Sequence, residues 1–363
     1  MAQLYGKSWT KKELLTYCGD VRQAGGLTTF SYSDGRAKGV DGVRFETGSG
    51  LAFTVLPGRG MDIPEATYCG VPLALKSANG VTAPEFFEPE GLGWLRNFFV
   101  GLLTTCGLRN AGPPHEDQGE SLGLHGRISN TPAENISVDQ KWDGDEYVME
   151  VKGSLKETKF FAENLLLTRT VRSQLGWKKF ILNDVIENHG FESEPLMLLY
   201  HFNVGHPLLS PQSRIVAPIA KTEPRDDDAE KDSGIENCLR FEPPYEQYNE
   251  KVFFHTLHNG KDGKTFVAIL NDDIGNGHPL GLVIRFNRNQ LPDLVEWKMM
   301  KRGTYVLGLE PCNTVPLGRA TNREKGILPE IAGQESVSVD IEVEVLATKA
   351  DFEAIEKEAS SLK

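Results

Sequence analysis

The chain has 363 residues, and its 51 acidic side chains outnumber its 39 basic ones, which gives a formal net charge of -12. This charge excludes the basic surface on which nucleic-acid binding depends and predicts repulsion from anionic membranes. The content of 39% hydrophobic and 25% charged residues is ordinary for a globular protein and excludes wholesale disorder.

The first predicted element is a short helix, because Thr10 and Glu13 have the spacing of a capping box. Further along, the apolar residues from Leu92 to Leu103 recur on one helical stripe and predict a second helix. The other signals are strands, seen as apolar or alternating runs bounded by turn residues. In chain order these predicted strands are Leu51–Leu56, Asn164–Val171, Phe180–Glu187, Leu196–Val204, Phe266–Leu270, Leu282–Phe286, Leu294–Met300 and Thr304–Leu309.

The C-terminal region carries the clearest strand pattern. From Val337 to Val345, valine and isoleucine alternate with serine, aspartate and glutamate, which is typical of an antiparallel strand with one buried face. Asp351 is placed to cap a closing helix over Phe352–Lys363. Turns separate most of the strands, so we predict an all-β fold of antiparallel sheets with a few short peripheral helices.

The remaining segments add two expectations. Lys221–Ser233 is rich in charge and is predicted to be a solvated loop, with a regulatory or substrate-gating role as the alternative. The chain has no apolar run of about eighteen residues and no signal-peptide core at its start. Its five scattered cysteines include no CxxC pair and are typical of reduced thiols. We therefore expect a cytoplasmic protein without a membrane or nucleic-acid partner.

Two histidine-containing segments place ionisable groups within reach of a ligand. His125 and Arg127 lie in the segment GLHGR, whose glycines allow close backbone approach, although a loop histidine alone is more often structural or merely exposed. In the apolar strand LLYHFNVGHP, alternation puts His201 and Asn203 on one face, while His206 lies at the strand end. Polar groups inside an apolar strand need a partner, which is either a ligand or a neighbouring side chain.

Two further segments carry charge beside apolar strands. Glu310 ends the run TYVLGLEP before a proline, where a rim carboxylate has either a raised pKa suited to a base or a salt-bridge partner. Lys298 follows Trp297 in another strand, and Trp297 is either a packing residue or an aromatic platform. Arg59 lies in the turn PGRGMD, either solvated or presented to hydroxyls or a carboxylate. No Walker or GxGxxG pattern is present, so no nucleotide cofactor is expected.

The order Arg59, His125, His201 and Glu310 on an all-β chain resembles the aldose 1-epimerase (galactose mutarotase-like) superfamily. The segments GLLTTCGL, GLHGR, YHFNVGHP and YVLGLEPCN are similar to those of a less-characterised aldose 1-epimerase-like branch. The resemblance implies a large antiparallel β-supersandwich with a sugar site in a cleft on one sheet. We accordingly expect a single domain over residues 1–363, with a core at about 40–346 and short helical additions at both ends.

By resemblance, Glu310 is the catalytic base, His201 is the catalytic acid, and His125 helps to hold the substrate. The other residues expected to bind substrate are Arg59, Arg127, Asn203, His206 and Lys298. The family histidine lies four residues before the strand asparagine, whereas His201 lies two residues before it, which leaves His206 as an alternative acid.

The resemblance implies an isomerase that interconverts the anomers of a sugar or sugar derivative by Glu/His acid–base catalysis, without a metal or cofactor. One alternative is a non-catalytic carbohydrate-binding protein. Another is a metal-dependent sugar isomerase or epimerase, in which His125, His201, His206 and Glu310 converge on a divalent ion. The expected partner is a small-molecule sugar or sugar acid, and the expected assembly is a monomer or a homodimer.

Overall fold

A computed structural model describes residues 1–363 of the chain. The N-terminal part forms seven short strands and one helix. These elements are β1 (Ala2–Leu4), β2 (Lys7–Trp9), α1 (Lys11–Tyr17), β3 (Gly26–Ser31), β4 (Asp41–Glu46), β5 (Leu51–Leu56), β6 (Asp62–Tyr68) and β7 (Val71–Pro72). Thr10 caps α1 and Glu13 completes the reciprocal bond, so the predicted capping box is confirmed.

The middle part contains the longest strands and two one-turn helices. These elements are β8 (Leu103–Cys106), β9 (His115–Asp117), β10 (Glu120–Leu122), β11 (Glu134–Asp143), β12 (Glu146–Thr158), β13 (Asn164–Gln174), β14 (Lys179–Asn188), β15 (Glu194–Pro195), β16 (Leu199–Gly205), β17 (Arg214–Val216), β18 (Ile219–Pro224), α2 (Asp227–Glu230) and α3 (Gly234–Asn237). The segment Lys221–Ser233 is therefore not a loop throughout, because β18 extends to Pro224 and α2 follows it.

The C-terminal part returns to long strands before the closing helix. These elements are β19 (Lys251–Leu257), β20 (Lys264–Asn271), β21 (Leu280–Asn287), β22 (Asp293–Lys301), β23 (Thr304–Cys312), α4 (Arg319–Glu324), β24 (Glu330–Ile331), β25 (Ser336–Leu346) and α5 (Lys349–Leu362). None of the helices is long and apolar enough to span a membrane.

Two large antiparallel sheets form the body of the protein. The eight-stranded sheet has the order β11–β12–β13–β14–β25–β21–β20–β17. The eleven-stranded sheet has the order β18–β19–β22–β23–β16–β8–β6–β5–β4–β3, with β7 paired to β6. Its pairs around the centre, such as β16 with β23, are antiparallel. The predicted all-β fold with short peripheral helices is confirmed.

The main core contains 60 buried residues and takes side chains from both sheets. Phe53 of β5 packs on Phe180 of β14 with ring centroids 4.7 Å apart, which joins the two sheets directly. In β25 the alternation predicted from the sequence buries Val339, Ile341 and Val343 on this face. Burial of such side chains contributes about 1.5–3 kcal/mol each, so the paired inner faces supply most of the driving force for this fold.

The opposite, outer face of the eleven-stranded sheet carries a smaller apolar cluster of 11 buried residues. Strand alternation divides β16 between the two faces: Phe202 belongs to the main core, and Leu199 belongs to the outer cluster. His201, two residues from Leu199, therefore points to the outer face. The aromatic side chains of Trp94 and Phe98 cover this region.

The helix predicted between Leu92 and Leu103 is wrong. The chain forms one 3-10 turn at Gly93–Arg96 and then the strand β8. Gly101 explains the difference, because its φ of +65° is left-handed and a Cβ there would lie 2.6 Å from the carbonyl oxygen of Ile63. The chain reverses at this glycine and brings the aromatic residues of the turn over the sheet.

The ends of two elements, α5 and β23, also differ from expectation. Thr348, not Asp351, caps α5; Asp351 is the third helical residue and completes the capping box. Strand β23 continues through Pro311 to Cys312 and does not end at Glu310. The ladder with β16 is nevertheless interrupted there, because proline has no N–H to donate: pairing stops at Leu199–Cys312 and resumes at Phe202–Leu309.

Candidate active site

A cavity of about 520 Å³ opens on the outer face of the eleven-stranded sheet. Its volume falls in the range of small-molecule sites, roughly 300–1,000 Å³. Aromatic side chains line its walls, namely Trp94, Phe98 and Trp297. The ionisable residues that line it are His125, His201, Glu310, Arg225 and Glu250. An aromatic wall with a few converging polar groups suits a ligand that has both an apolar face and hydroxyl groups.

His201 and Glu310 form the centre of this cavity. They face each other across the interrupted part of the β16–β23 ladder, with 3.2 Å between His201 Nε2 and Glu310 Oε1. Both side chains are buried, yet Glu310 Oε1 and His201 Nδ1 have no hydrogen-bond partner in the protein. Unpaired buried polar atoms cost about 1–3 kcal/mol each, and beside a cavity of ligand size they identify a candidate ligand site.

Burial shifts the pKa values of the two residues in opposite directions. It raises the pKa of Glu310 well above its usual 4.5, because the site disfavours a carboxylate. It lowers the pKa of His201 well below its usual 6.5, because the site disfavours an imidazolium. The neighbouring His125 lowers the His201 pKa further. Both shifts favour the neutral form of the pair, in which Glu310 carries the proton and His201 is an uncharged imidazole.

Gly308 provides the space in which the pair meets. A Cβ at this position would lie 2.3 Å from Glu310 Oε1 and 3.2 Å from His201 Cε1. The backbone of Gly308 lies in a regular strand, so its absent side chain is what matters here, not its conformational freedom. Any larger residue would displace the carboxyl group, the imidazole or both.

His125 is the second imidazole that lines the cavity. Its φ is +56° and the φ of Gly126 is +75°, so the GLHGR segment turns sharply and directs the ring inward. The Gly112 N–H donates to His125 Nδ1 at 3.3 Å, which leaves the proton on Nε2. Burial lowers the His125 pKa to about 4, so the ring is neutral at pH 7 and offers an N–H donor. Its ring lies 4.9 Å from that of Trp94.

A polar wall closes one side of the cavity. Trp297 Nε1 donates to Glu250 Oε2 at 2.9 Å, which fixes the indole plane. Arg225 Nη2 lies 3.0 Å from Glu250 Oε1, and its Nε donates to Asp226 at 2.6 Å. Sequence analysis missed both residues. Arg225 lies in Lys221–Ser233, which composition marked as a solvated loop with gating only as the alternative, and no sequence pattern singled out Glu250.

The structure does not bring Arg59 to the cavity. The Arg59 side chain is 1% exposed, and its guanidinium donates to the backbone carbonyls of Thr82, Asn97 and Ser129. Those three carbonyls belong to distant segments that converge only in the fold. Arg59 therefore joins loops inside the protein and, contrary to expectation, does not line the cavity.

The other residues expected to bind substrate also lie elsewhere. Asn203 is buried and donates to the carbonyl oxygen of Val100, away from the cavity lining. Lys298 points to the inner face, because alternation along β22 puts it opposite Trp297. Arg127 lines a separate cleft.

His206 is exposed beyond the end of β16 and does not approach Glu310. His201 is therefore the strand histidine that the structure places beside the carboxyl group. The four-residue metal set of the alternative hypothesis does not converge, since His206 lies outside the cavity that the other three line.

Comparison of the whole fold with solved structures defines its class. A crystal structure of a "putative aldose 1-epimerase" from Klebsiella pneumoniae matches with a TM-score of 0.87 and 27% identity, over 93% of this chain and 87% of that one. A galactose mutarotase-like protein from Clostridium acetobutylicum has a TM-score of 0.60 and 17% identity, over 90% and 100% of the two chains. Galactose 1-epimerase from Lactobacillus acidophilus has a TM-score of 0.56 and 13% identity, over 89% and 99%. The fold is galactose mutarotase-like, as the resemblance implied.

Residues 37–345 match the family described as "Domain of unknown function (DUF4432)". Because this match covers most of the chain, the protein belongs to that family. A search of curated proteins gave no match. The chain is thus a DUF4432 protein with a galactose mutarotase-like fold.

Proposed function

We propose that this protein is an aldose 1-epimerase-type isomerase that interconverts the anomers of a sugar, with the whole chain acting as one domain. The observation that carries the proposal is the buried His201–Glu310 pair: both residues line a cavity of suitable size, and each has a polar atom without a hydrogen-bond partner. The fold supports the general class, because the structures it matches include aldose 1-epimerases and mutarotase-like proteins.

The reaction needs a base, an acid and a single proton shared between them. Glu310 removes the proton of the C1 hydroxyl while the C1–O5 bond breaks, and O5 takes a proton from His201. The open-chain aldehyde rotates about C1–C2, and ring closure on its other face returns each proton with the roles exchanged. The pair ends with the proton count with which it began, so no external acid or base is consumed.

The opposed pKa shifts favour the state of this cycle in which Glu310 is protonated and His201 is neutral. The working state has Glu310 as a carboxylate and His201 as an imidazolium, which differs from the neutral pair by one proton transfer over 3.2 Å. The two forms carry the same number of protons, so passing from one to the other takes no proton from solvent. Hydroxyl groups of a bound sugar would supply the hydrogen bonds that the unpaired atoms lack.

The remaining groups suit recognition of a sugar ring. Neutral His125 offers an Nε2–H donor beside the acid, and Trp297 offers an aromatic face. Arg225 is already shared between Asp226 and Glu250, so this wall offers both donors and acceptors to hydroxyl groups. Aromatic stacking with paired hydrogen bonds is the chemistry expected of a carbohydrate site.

A two-step experiment tests the proposal. A thermal-shift screen over a panel of aldoses, ketoses and uronates identifies ligands that stabilise the folded protein. Saturation-transfer NMR then measures anomer exchange for each hit, with the uncatalysed rate subtracted. We expect at least one hit whose exchange the protein accelerates. Binding without acceleration of any hit would instead support a non-catalytic carbohydrate-binding protein, for which the aromatic cavity is sufficient.

A further inference from the structure

A second cluster of reactive side chains lies on the inner face of the eleven-stranded sheet. Cys238 follows α3, His255 is in β19 and Glu296 is in β22. The thiol sulfur, an imidazole nitrogen and a carboxylate oxygen all lie within 4.8 Å of one another, and all three residues are buried. Alternation along β22 separates this cluster from the cavity, because Glu296 and Trp297 point to opposite faces.

The hydrogen bonds in the cluster orient its ligating atoms. His255 Nε2 lies 2.9 Å from Glu296 Oε2, and His255 Nδ1 lies 2.9 Å from the hydroxyl of Thr222. A histidine that binds a metal usually donates its second ring N–H to a carboxylate, carbonyl or water oxygen, and the Thr222 hydroxyl oxygen occupies that position here. Glu296 Oε1 has no hydrogen-bond partner although Glu296 is fully buried. This unpaired oxygen is a second, independent sign of a missing ligand.

We propose that Cys238, His255 and Glu296 bind a zinc ion. Thiolate, imidazole and carboxylate are all ligands of Zn²⁺, whose borderline softness suits this mixed set. Tetrahedral coordination at about 2.0–2.3 Å puts ligand atoms roughly 3.3–3.8 Å apart. The present spacing therefore needs adjustments of about 1 Å or less. On binding, the Cys238 thiol releases its proton to solvent and the sulfur donates the electron pair of the new bond.

The surrounding charges are compatible with a divalent cation. Lys298 is the nearby cation, and its ammonium group is held by the carbonyl oxygens of Asn237 and Arg240. Its charge is matched by Glu242 at 2.8 Å. The carboxylate of Glu296 and the thiolate of Cys238 would then neutralise the two charges of zinc.

The site would have a structural role in the cavity wall. The segment between β18 and β19 supplies Arg225 and Glu250 to the cavity, and Cys238 lies within the same segment. Zinc would tie this segment to β19 and β22 on the inner face. It would therefore hold the polar wall in place without touching a ligand in the cavity.

Metal analysis of the untagged, full-length protein tests the site. Protein purified from zinc-supplemented medium and desalted should contain stoichiometric zinc by plasma mass spectrometry. Apo-protein loaded with Co²⁺ should show a thiolate-to-cobalt charge-transfer band in the near ultraviolet. Cys238→Ser should abolish the band and the bound zinc. The matched control is Cys18→Ser, a buried cysteine in the N-terminal segment, which should retain both.

Either of two results would overturn the zinc site: background zinc with no cobalt band in the wild-type protein, or an undiminished band in Cys238→Ser. Circular dichroism checks the folding of each variant. If Cys238→Ser does not fold, the zinc content and cobalt band of the wild-type protein alone decide whether the site exists. Glu296→Gln gives a second variant, expected to lower zinc occupancy. None of these readouts depends on anomer exchange, so they are independent of the proposed activity.

Discussion

Two buried histidine–glutamate pairs lie on opposite faces of the same sheet. The outer pair, His201–Glu310, has a 3.2 Å approach, and the inner pair, His255–Glu296, has a 2.9 Å hydrogen bond. The inner histidine has a second partner in Thr222, whereas the second nitrogen of His201 has none. Only the outer pair lines a cavity of ligand size. Identical residue types thus stand in two different environments.

This difference shows that burial of a His–Glu pair does not by itself indicate catalysis. The inner pair is closed over by protein and anchored on both ring nitrogens, which suits a structural or metal-binding role. The outer pair keeps hydrogen-bonding capacity free beside an open cavity, at a cost of about 1–3 kcal/mol for each unpaired atom. Because the outer pair also lines a cavity, we assign its unmet capacity to the proposed sugar site.

The roles of the two pairs are best distinguished by neutralising each glutamate in turn. We expect Glu310→Gln to lower kcat/KM for anomer exchange by about 10²–10⁴-fold, the usual contribution of a general base. Glu296→Gln, the same change on the other face, should alter kcat/KM by less than about tenfold, because Glu296 affects the cavity only through the position of its polar wall. Exchange NMR on a sugar that binds both variants measures the two effects. Equal losses of kcat/KM in the two variants would contradict the claim that only the outer pair is catalytic.

Gly308 gives a second test that affects only the outer pair. Gly308→Ala would place a Cβ 2.3 Å from Glu310 Oε1, so the carboxyl group must move. A displacement of this kind should lower kcat by about 10–10²-fold. The control is Gly19→Ala, whose Cβ meets no atom within 4 Å and whose φ is not left-handed. Steady-state rates of the two alanine variants measure the effect, and full activity in Gly308→Ala would contradict the assigned geometry.

The pH profile sharpens the comparison further. With an ordinary pKa of 6.5, the His201 imidazolium would lose its proton above pH 6.5 and could no longer act as the acid. Because the Glu310 pKa is raised and the His201 pKa is lowered, the pair should keep its proton past that point. We therefore expect catalysed exchange to stay level within about twofold between pH 6 and 8. A decline centred near 6.5 would show that His201 titrates as an ordinary histidine.

The smallest expected effect is on stability. A carboxyl group whose folded pKa is raised stabilises the folded protein below its unfolded pKa of 4.5, and this stability is lost as pH rises toward the raised value. Glu310→Gln removes that loss, so its Tm should exceed that of the wild type at pH 8 by roughly 2–4 °C. The difference should vanish near pH 4. Calorimetry at both pH values measures it, and a lower Tm at pH 8 would contradict a buried, protonated Glu310.

Most of the correct predictions of strands and site residues came from strand alternation and short motifs. The period-two pattern identified β5 with its bounds and the buried face of β25, because burial on one face is written directly in the sequence. The same rule placed His201 on a single face of β16. Residue types marked Glu310 and His125 as candidates, and the family resemblance gave them roles; the structure places both in the cavity lining.

The long-range contacts of the arginines could not be predicted. Arg59 lies in a glycine turn that suggests exposure, but its partners are backbone carbonyls from segments 23 to 70 residues away. Arg225 is the reverse case, because its charge-rich surroundings suggest solvent although the fold brings it to the cavity beside Glu250. Neither environment is encoded in local pattern or composition.

A double-mutant cycle on His201→Asn and Glu310→Gln tests most directly whether the outer pair works as one proton-sharing unit. Anomer exchange is measured by saturation-transfer NMR for the wild type, both single variants and the double variant. If the residues act together, each single variant loses about 10²–10⁴-fold and the double variant is no slower than the slower single one. Losses that multiply in the double variant, or exchange that is undiminished in either single variant, would contradict the account.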